Sequence, residues 1–594
     1  MKIKKAAALF LSAQRVEWGL LLFWKRYKSL MRKIFKRLVF ILGLVTCAVS
    51  IAATPVAARH GMVVTEQHLA TQVGVDILRA GGNAVDAAVA VGYALAVVNP
   101  CCGNLGGGGF MLLRLTNGKS TFINYRERAP LAAYPAMYQD KDGNVIPDKS
   151  TIGYRAVATP GTVLGLETAL KKFGTMTRQQ VMAPAIRLAQ SGFVLAPGDI
   201  SIMKSHTAEF AKNSNIAAIF LNHGKAYQAG DKLVQTDLAA SLRAIARDGA
   251  AAFYHGKIAA AIVSASKKNG GILTQNDFND YKVELLSPLN CSYRGYSIIS
   301  SPPPSSGGVT LCEMLNILEG YPLKTYSYNS PVALHYILEA MRFAFADRNS
   351  KLGDPDFVAN PITQLISKNY AAKIRRRIPA DRAVDSAKIN ETLAEHEGVH
   401  TTHYTIADKA GNVVAVTYTL NSFFGAQVIA GDTGFFLNDE MDDFTAKLGA
   451  ANKFGLVEGD KNNIEPGKRP LSSMTPTIIM EKGLPLLVTG SPGGPRIITA
   501  TLEVILNFLD YGMNIQDAVN APRYHEQWLP DVVYLEPGGV FTEPTLKQLG
   551  SMGYHFETGP RQWGAAQSIY LNHKTGMLYG AIDIRRPAGA AIGY

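Results

Sequence analysis

Apolar residues recur at helical spacing through EQHLATQVGVDILRAGGNAVDAAVAVGYALAVV, residues 66–98. Gly81-Gly82-Asn83 interrupts the run, which predicts two helices with a short break between them. GNLGGGGF at 103–110 leads into two strand-like runs, FMLLRL and FINYRERAP. Residues 160–285 return to helical spacing, as in TVLGLETALKKFG and DLAASLRAIARDG. SPPPSSGG (301–308) is a loop opening a helix, and HYILEAMRFAFADR (335–348) predicts another. Residues 358–400 are polar and irregular, and read as an exposed connector. Beyond residue 400 the period shifts to two. TTHYTIAD alternates, KAGN is a turn, and VVAVTYTL is β-branched and aromatic. A second strand pair lies in PTIIMEKGLPLLVTG (476–490), followed by the helix RIITATLEVILNFLDYG. The last hairpin, QSIYLNHKTGMLYGAID, turns at Asn572–Gly576. There is no internal repeat, and the order of elements predicts an α/β layered domain.

Composition changes this picture little: 47% hydrophobic and 18% charged residues are ordinary for a globular chain. The net charge of +13 suggests nucleic acid until it is located. Residues 1–53 hold 11 Lys/Arg and one acid, Glu17, and contribute +10; the remaining +3 forms no basic stripe with interleaved aromatics. No nucleic-acid partner is expected. Met31-Arg32-Lys33-Ile34-Phe35-Lys36-Arg37 is a positive n-region, and LVFILGLVTCAVSIAA (38–53) an apolar h-region ending in small residues. Shorter than the roughly 20 residues of a spanning helix, it reads as a secretory signal peptide cut after Ala52 or Ala53, with Met31 as the true start. A short membrane anchor, or lipidation at Cys47, are the alternatives. The expected location is periplasmic or secreted. Beyond this leader only Cys101, Cys102, Cys291 and Cys312 remain. They have neither metal-site spacing nor the density of a disulfide framework. Buried thiols are the expectation, with one long-range bridge open to an oxidising compartment.

Candidate chemistry centres on HEGVHTTHYTIADKAGNVVAVTYTLN, residues 396–421. HEGVH matches a zinc-peptidase pattern in which His396 and His400 share a helical face and Glu397 is the base. The context opposes a helix: Gly398 sits inside it, and Val399, Thr401, Thr402 and Thr405 favour a strand. No metal or other cofactor is expected. If the hairpin turns at Lys409–Asn412, cross-strand partners have numbers summing to about 820 or 821. Thr401 then falls opposite Thr419 or Leu420, beside Asn421. A hydroxyl needs a base to become a nucleophile. Backbone cleavage just before Thr401 would free an α-amino group with a pKa near 7.7–8.0, suited to that work. A plain threonine ladder is the alternative for TTHYT alone.

Residues 401–444 are similar to the start of the small subunit of γ-glutamyltransferases (γ-glutamyltranspeptidases). The likeness runs from about residue 57 to Tyr594 through NLGGGGFML, YRERAP, FADRNSKLGDPDF, KRPLSSMTPT, GSPGGPRII and NAPRYHEQWLPD. It implies an N-terminal nucleophile hydrolase: a four-layer αββα sandwich formed jointly by two autocleaved fragments. The implied organisation is a leader (1–53), a large subunit (54–400) and a small subunit (401–594), cut at His400–Thr401. Thr401 is the implied nucleophile for self-cleavage and catalysis, and Thr419 its orienting partner. Gly493 and Gly494 are the implied oxyanion hole, where backbone N–H groups approach closely without side chains. Arg126, Ser472 and Ser473 would hold the donor's α-carboxylate, a guanidinium fork suiting two-point contact. Glu440, Asp443 and Asn421 would hold its α-amino group. Arg128 is the weaker choice of arginine. Phe454 would sit on a lid loop.

The implied substrates are glutathione, other γ-glutamyl compounds, and amino-acid or dipeptide acceptors. GSPGGPR is also read against a phosphate loop, but lacks its Gly-Lys-Ser/Thr ending. Pro495, where many relatives have serine, and Ile584, interrupting an Asp-Pro-Arg pattern, depart from the family. A glutaryl–cephalosporin acylase on the same fold is the nearest alternative; Glu440 and Asp443 argue against it, because a glutaryl group has no α-amino group to hold. A zinc metallopeptidase and a catalytically dead binding protein are more distant ones.

Overall fold

The computed structural model describes residues 53–389 and 401–594. The signal-peptide reading up to Ala52, and His396, Glu397 and His400, lie outside the described residues. Residues 54–594 form one compact unit.

Two seven-stranded antiparallel sheets carry the fold. In spatial order the first is Ala590–Gly593, Gly61–Thr65, Thr402–Asp408, Val413–Thr419, Gly108–Arg114, Ser120–Tyr125 and Glu284–Leu286. The second is Val56–Ala58, Met577–Ala581, Ser568–Asn572, Leu484–Thr489, Thr477–Glu481, Tyr296–Ser300 and Leu289–Tyr293. Each sheet draws strands from both sides of residue 400, so neither part of the chain completes a sheet alone.

Strand alternation explains the packing. In Thr402–Asp408 and Val413–Thr419 every residue is buried. Tyr404, Ile406, Val414, Val416 and Tyr418 join a core with the helices His68–Arg79, Ala84–Val98 and Thr162–Phe173. Ala407, Val413 and Ala415 turn the other way, into a core shared with Ile478, Val488 and Ile569 of the second sheet. Burying one such Val, Leu or Ile contributes about 1.5–3 kcal/mol, so a one-residue slip of this hairpin would reverse both faces at once. The second sheet packs its outer face on the helices Gly307–Leu318 and Arg496–Leu509, with Pro331–Lys351 in the same core.

The two helices expected in 66–98 are His68–Arg79 and Ala84–Val98, each begun by a side-chain cap, Gln67 and Asn83. The connector is less irregular than its composition suggests. Lys368–Arg375 is a helix whose Ala371 and Ile374 are buried, two apolar positions too few to show a period in sequence. The cysteines correct the thiol expectation: Cys101–Cys102 and Cys291–Cys312 are both disulfides. The second joins the strand Leu289–Tyr293 to the helix Gly307–Leu318 packed on it, with Cα atoms 6.0 Å apart, within disulfide reach.

Candidate active site

The hairpin register pairs Thr402 with Tyr418 and His403 with Thr417. Thr401, one step before the strand, therefore faces Thr419, one of the two positions that the turn-centred count allows. The Thr419 hydroxyl donates to Thr401 Oγ1 at 3.3 Å and accepts the Asn421 N–H at 2.9 Å. Both threonines are buried. Two residues along the same face, His403 Nδ1 lies 2.8 Å from Thr417 Oγ1. Burial lowers the His403 imidazole to about 3, so it is neutral. His403 stands in a strand, where it cannot extend a metal-binding helix.

A pocket of about 330 Å³ opens at Thr401. Arg126, Thr401, Thr419, Asn421, Glu440, Asp443, Phe454, Ser472, Ser473 and Gly494 all line it. Gly493 lies one residue outside that lining. The two glycines have φ of 137° and 56°, values that favour glycine, and they stand at the positive end of the helix Arg496–Leu509. A Cβ on Gly494 would lie 2.7 Å from the Phe454 ring. Phe454 is thus packed over the glycine turn.

The far end of the pocket is charged. Arg126 pairs with Glu440 and, at 2.5 Å, with Asp443, while its Nε donates to the Pro470 carbonyl at 3.2 Å. Residues expected to hold opposite charges of one substrate therefore hold each other. Burial by itself would lower the Arg126 guanidinium, but Glu440, Asp443 and Glu127 outweigh it and raise it. Burial pushes Glu440 well above the carboxylate range and Glu127 to about 7. Arg348 Nη2 donates to Ser473 Oγ at 3.1 Å and its Nε to Ser306 Oγ at 2.9 Å, and the same guanidinium pairs with Glu458. Sequence reasoning missed Arg348 and Glu458 as parts of the site. Arg348 was visible in FADRNSKLGDPDF, on a helical run, but nothing local said where it would point.

The turn after Thr419 is held from an unexpected side. The carbonyls of Cys101 and Cys102 accept the N–H groups of Phe424 (2.8 Å) and Leu420 (3.2 Å). Asn421, inside that turn, has φ of 76° and donates its side-chain amide to the Asp439 carbonyl at 3.0 Å. Among the described residues no group of His, Cys, Asp and Glu is arranged to hold a metal.

Comparison with known proteins agrees with this arrangement. A glutathione hydrolase proenzyme of Pseudomonas sp. (strain A14) is 53% identical over 549 residues, 91% of this chain and 95% of that protein. The proenzyme of the same description from Escherichia coli (strain K12) is 48% identical, covering 91% of this chain and 93% of its own length. Among solved structures, a cephalosporin acylase from Bacillus halodurans superposes with a TM-score of 0.80 at 27% identity, over 92% of this chain and 98% of its own. The γ-glutamyltranspeptidase family model matches residues 70–593. With the threonine pair, the glycine turn and the paired charges in one pocket, and this match along nearly the whole folded unit, the chain belongs to the γ-glutamyltranspeptidase family.

Proposed function

We propose that this protein is a γ-glutamyltransferase and glutathione hydrolase that matures by cutting its own chain at His400–Thr401. The observation that carries the proposal is the pocket itself: a buried, hydrogen-bonded threonine hydroxyl at one end and matched opposite charges at the other. In maturation Thr401 Oγ1 attacks the His400 carbonyl, the peptide C–N bond breaks, and water opens the resulting ester. The freed α-amino group then serves as base. In catalysis Thr401 attacks the γ-carbonyl of the donor. The Gly493 and Gly494 N–H groups receive the oxyanion, and the amine leaves with the proton. The threonyl ester passes to water or to the amine of an amino acid or dipeptide.

The donor's charges exchange with those of the pocket. Its α-ammonium goes to Glu440, Asp443 and Asn421. Its α-carboxylate goes to Arg126, Ser472 and Ser473. Arg348 steadies Ser473, and Phe454 covers the pocket. Fragments 54–400 and 401–594 jointly form a four-layer αββα sandwich of the N-terminal nucleophile type. The leader directs the protein to the periplasm or the exterior. The likeness to a cephalosporin acylase favours a second reading, in which the acyl group lacks an α-amino group.

Intact mass and N-terminal sequencing of the purified protein test the maturation. Two fragments are expected, the smaller beginning at Thr401. A single uncut chain, or a cut elsewhere, overturns the proposed mechanism. Hydrolysis of a γ-glutamyl anilide in preference to a glutaryl anilide separates the two acyl readings.

A further inference from the structure

Phe454 lines the Thr401 pocket, but the residue before it is engaged elsewhere. Lys453 Nζ donates to Ser422 Oγ at 2.6 Å, and the Ser422 hydroxyl donates in turn to Asp439 Oδ2 at 2.5 Å. Asp439 Oδ1 accepts the Ser422 N–H at 2.8 Å, so one carboxyl group takes both donors of that serine. Ser422 and Asp439 are buried, and Lys453 is half-buried. None of the three lines the pocket, yet each is the chain neighbour of a residue that does: Asn421, Glu440 and Phe454. An ammonium, a hydroxyl and a carboxyl group in series thus join the turn after Thr419, the short helix Glu440–Asp443 and the loop that carries Phe454.

The turn and the short helix hold together without the lysine. The Asn421 side-chain amide donates to the Asp439 carbonyl at 3.0 Å, and the Asp439 N–H to the Leu420 carbonyl at 3.0 Å. The loop is held differently. Buried Phe454 and Leu456 give it an apolar seat. The Lys453 N–H donates to Asp442 Oδ2 at 3.0 Å, and the Gln527 amide to the Gly455 carbonyl at 3.0 Å. The Lys453 ammonium adds a charged tie to the turn. Burial raises the Asp439 carboxyl group to about 7, and Lys453 leads the groups that pull it back, so the cation is felt at the carboxyl group. A charge-assisted bond to a buried partner is stronger than an exposed pair. The flexible stem of a lysine also lets its ammonium leave for water without a change of backbone. The contact is both firm and releasable.

Resting on the functional reading above, we infer that Lys453, Ser422 and Asp439 form a latch that seats the Phe454 loop and couples it to the turn bearing Asn421. Phe454 is packed over the glycine turn, so the loop lifts for a donor to enter and settles before the ester reacts. With the ammonium on Ser422 the loop is down, Phe454 lies over Gly494, and the Asn421 turn is braced from the loop as well as from Asp439. With the ammonium in water the loop is free to lift. Ser422 is the junction, because its hydroxyl accepts from the lysine while it donates to the carboxyl group. All three are positioning residues: none touches the reacting atoms, and they act through Phe454 and Asn421.

Backbone hydrogen exchange of residues 445–458, read by mass spectrometry, tests the latch without relying on turnover. Lys453→Met keeps the length of the side chain and removes its charge. Exchange in this segment should quicken about ten-fold in that variant, the scale of one charge-assisted hydrogen bond. Ser422→Ala should do the same, and Lys453→Arg should stay close to wild type. Lys447→Met, at an exposed lysine of the same loop, is the control and should change nothing. With a γ-glutamyl anilide, Lys453→Met should raise the donor KM several-fold more than it lowers kcat, and Lys453→Arg should restore KM. If Ser422→Ala fails to fold, Lys453→Met decides alone, since it leaves Ser422 and Asp439 paired. Wild-type exchange in Lys453→Met, equal quickening in Lys447→Met, or a loss of kcat at unchanged KM would overturn the inference. A wild-type protein that turns over no γ-glutamyl donor, while Lys453→Met still quickens exchange in the loop, would remove the functional reading and leave the latch standing.

Discussion

The two ends of the Thr401 pocket are built by different means. At the hydroxyl end, Thr401, Thr419, His403 and Thr417 form alternate rungs, on one face of one antiparallel hairpin. Their groups are neutral and set by strand register. At the charged end, Arg126, Glu440, Asp443, Arg348 and Glu458 come from a strand end, a short 3-10 helix, a long helix and a loop, and are set by ion pairing. A ladder tolerates the loss of one hydrogen bond because the backbone still fixes the register. An ion network does not, because removing one member leaves buried charges unpaired, at about 3–5 kcal/mol. The first end should therefore fail only where chemistry is lost, and the second wherever charge is unbalanced.

The largest expected effect removes the chemistry while keeping the ladder. Thr401→Ala should give one uncut chain with activity reduced by on the order of 10³-fold or more, and Thr401→Ser should keep some of both functions. Mass spectrometry and an anilide assay read both; processing at this bond in the alanine variant would sink the autocatalytic mechanism. Next, Arg126→Lys retains charge but loses the fork that meets Glu440 and Asp443. Its kcat/KM for a γ-glutamyl donor should fall on the order of 10²-fold, reflecting two charge-assisted bonds. A loss no larger than that of an exposed arginine would erase the proposed contrast between the ends. Thr419→Val, which removes one neutral hydroxyl donor, should lower kcat by about ten-fold with little change in donor KM. If KM rises instead, Thr419 belongs to binding rather than to orientation.

The smallest effect is in stability. Burial raises Glu127 to about 7 and, at the same end, Asp439 to about 7. The folded state there binds more protons than the unfolded one, so this contribution is full below about 4.5 and is lost as pH rises through about 7. His403 has the opposite sign. Burial lowers it from 6.5 to about 3, so its contribution is present above 6.5 and is lost as pH falls through that window. The two ends oppose each other between about pH 4.5 and 6.5. Glu127→Gln should leave Asp439 and His403 opposing each other, so that the fall of Tm with rising pH across that window weakens by on the order of 2 °C. His403→Gln should expose the acids' slope, with Tm falling. Thermal unfolding at several pH values decides it, and parallel profiles in both variants would refute the assignment.

The same division governs what could be read in advance. The hairpin count narrowed the partner of Thr401 to Thr419 or Leu420 because strand pairing is local, and the register in the folded sheet chose Thr419. Helices at 68–79 and 84–98 were legible from apolar spacing and the break at Gly81-Gly82-Asn83. The disulfides were not, since the pairing of Cys291 with Cys312 depends on a helix folding back on a strand. The helix Lys368–Arg375 buries too few residues to announce itself. Arg126 was read as a substrate clamp through a family resemblance; its pairing with Glu440 and Asp443 was not foreseen.

By itself, then, the sequence determined the periodic elements, the hairpin that begins beside Thr401 and the chain's family membership. Those follow from contacts within about twenty residues and from motifs read in order. Only the tertiary structure decided that Arg348 reaches Ser473, that the Cys101 and Cys102 carbonyls hold the Leu420–Phe424 turn, and that Lys453 reaches Ser422 beside Asp439. These contacts join residues far apart along the chain, and their side chains carry no period. Their positions are fixed by two sheets packing face to face, and by the cost of leaving any buried charge or backbone group without a partner.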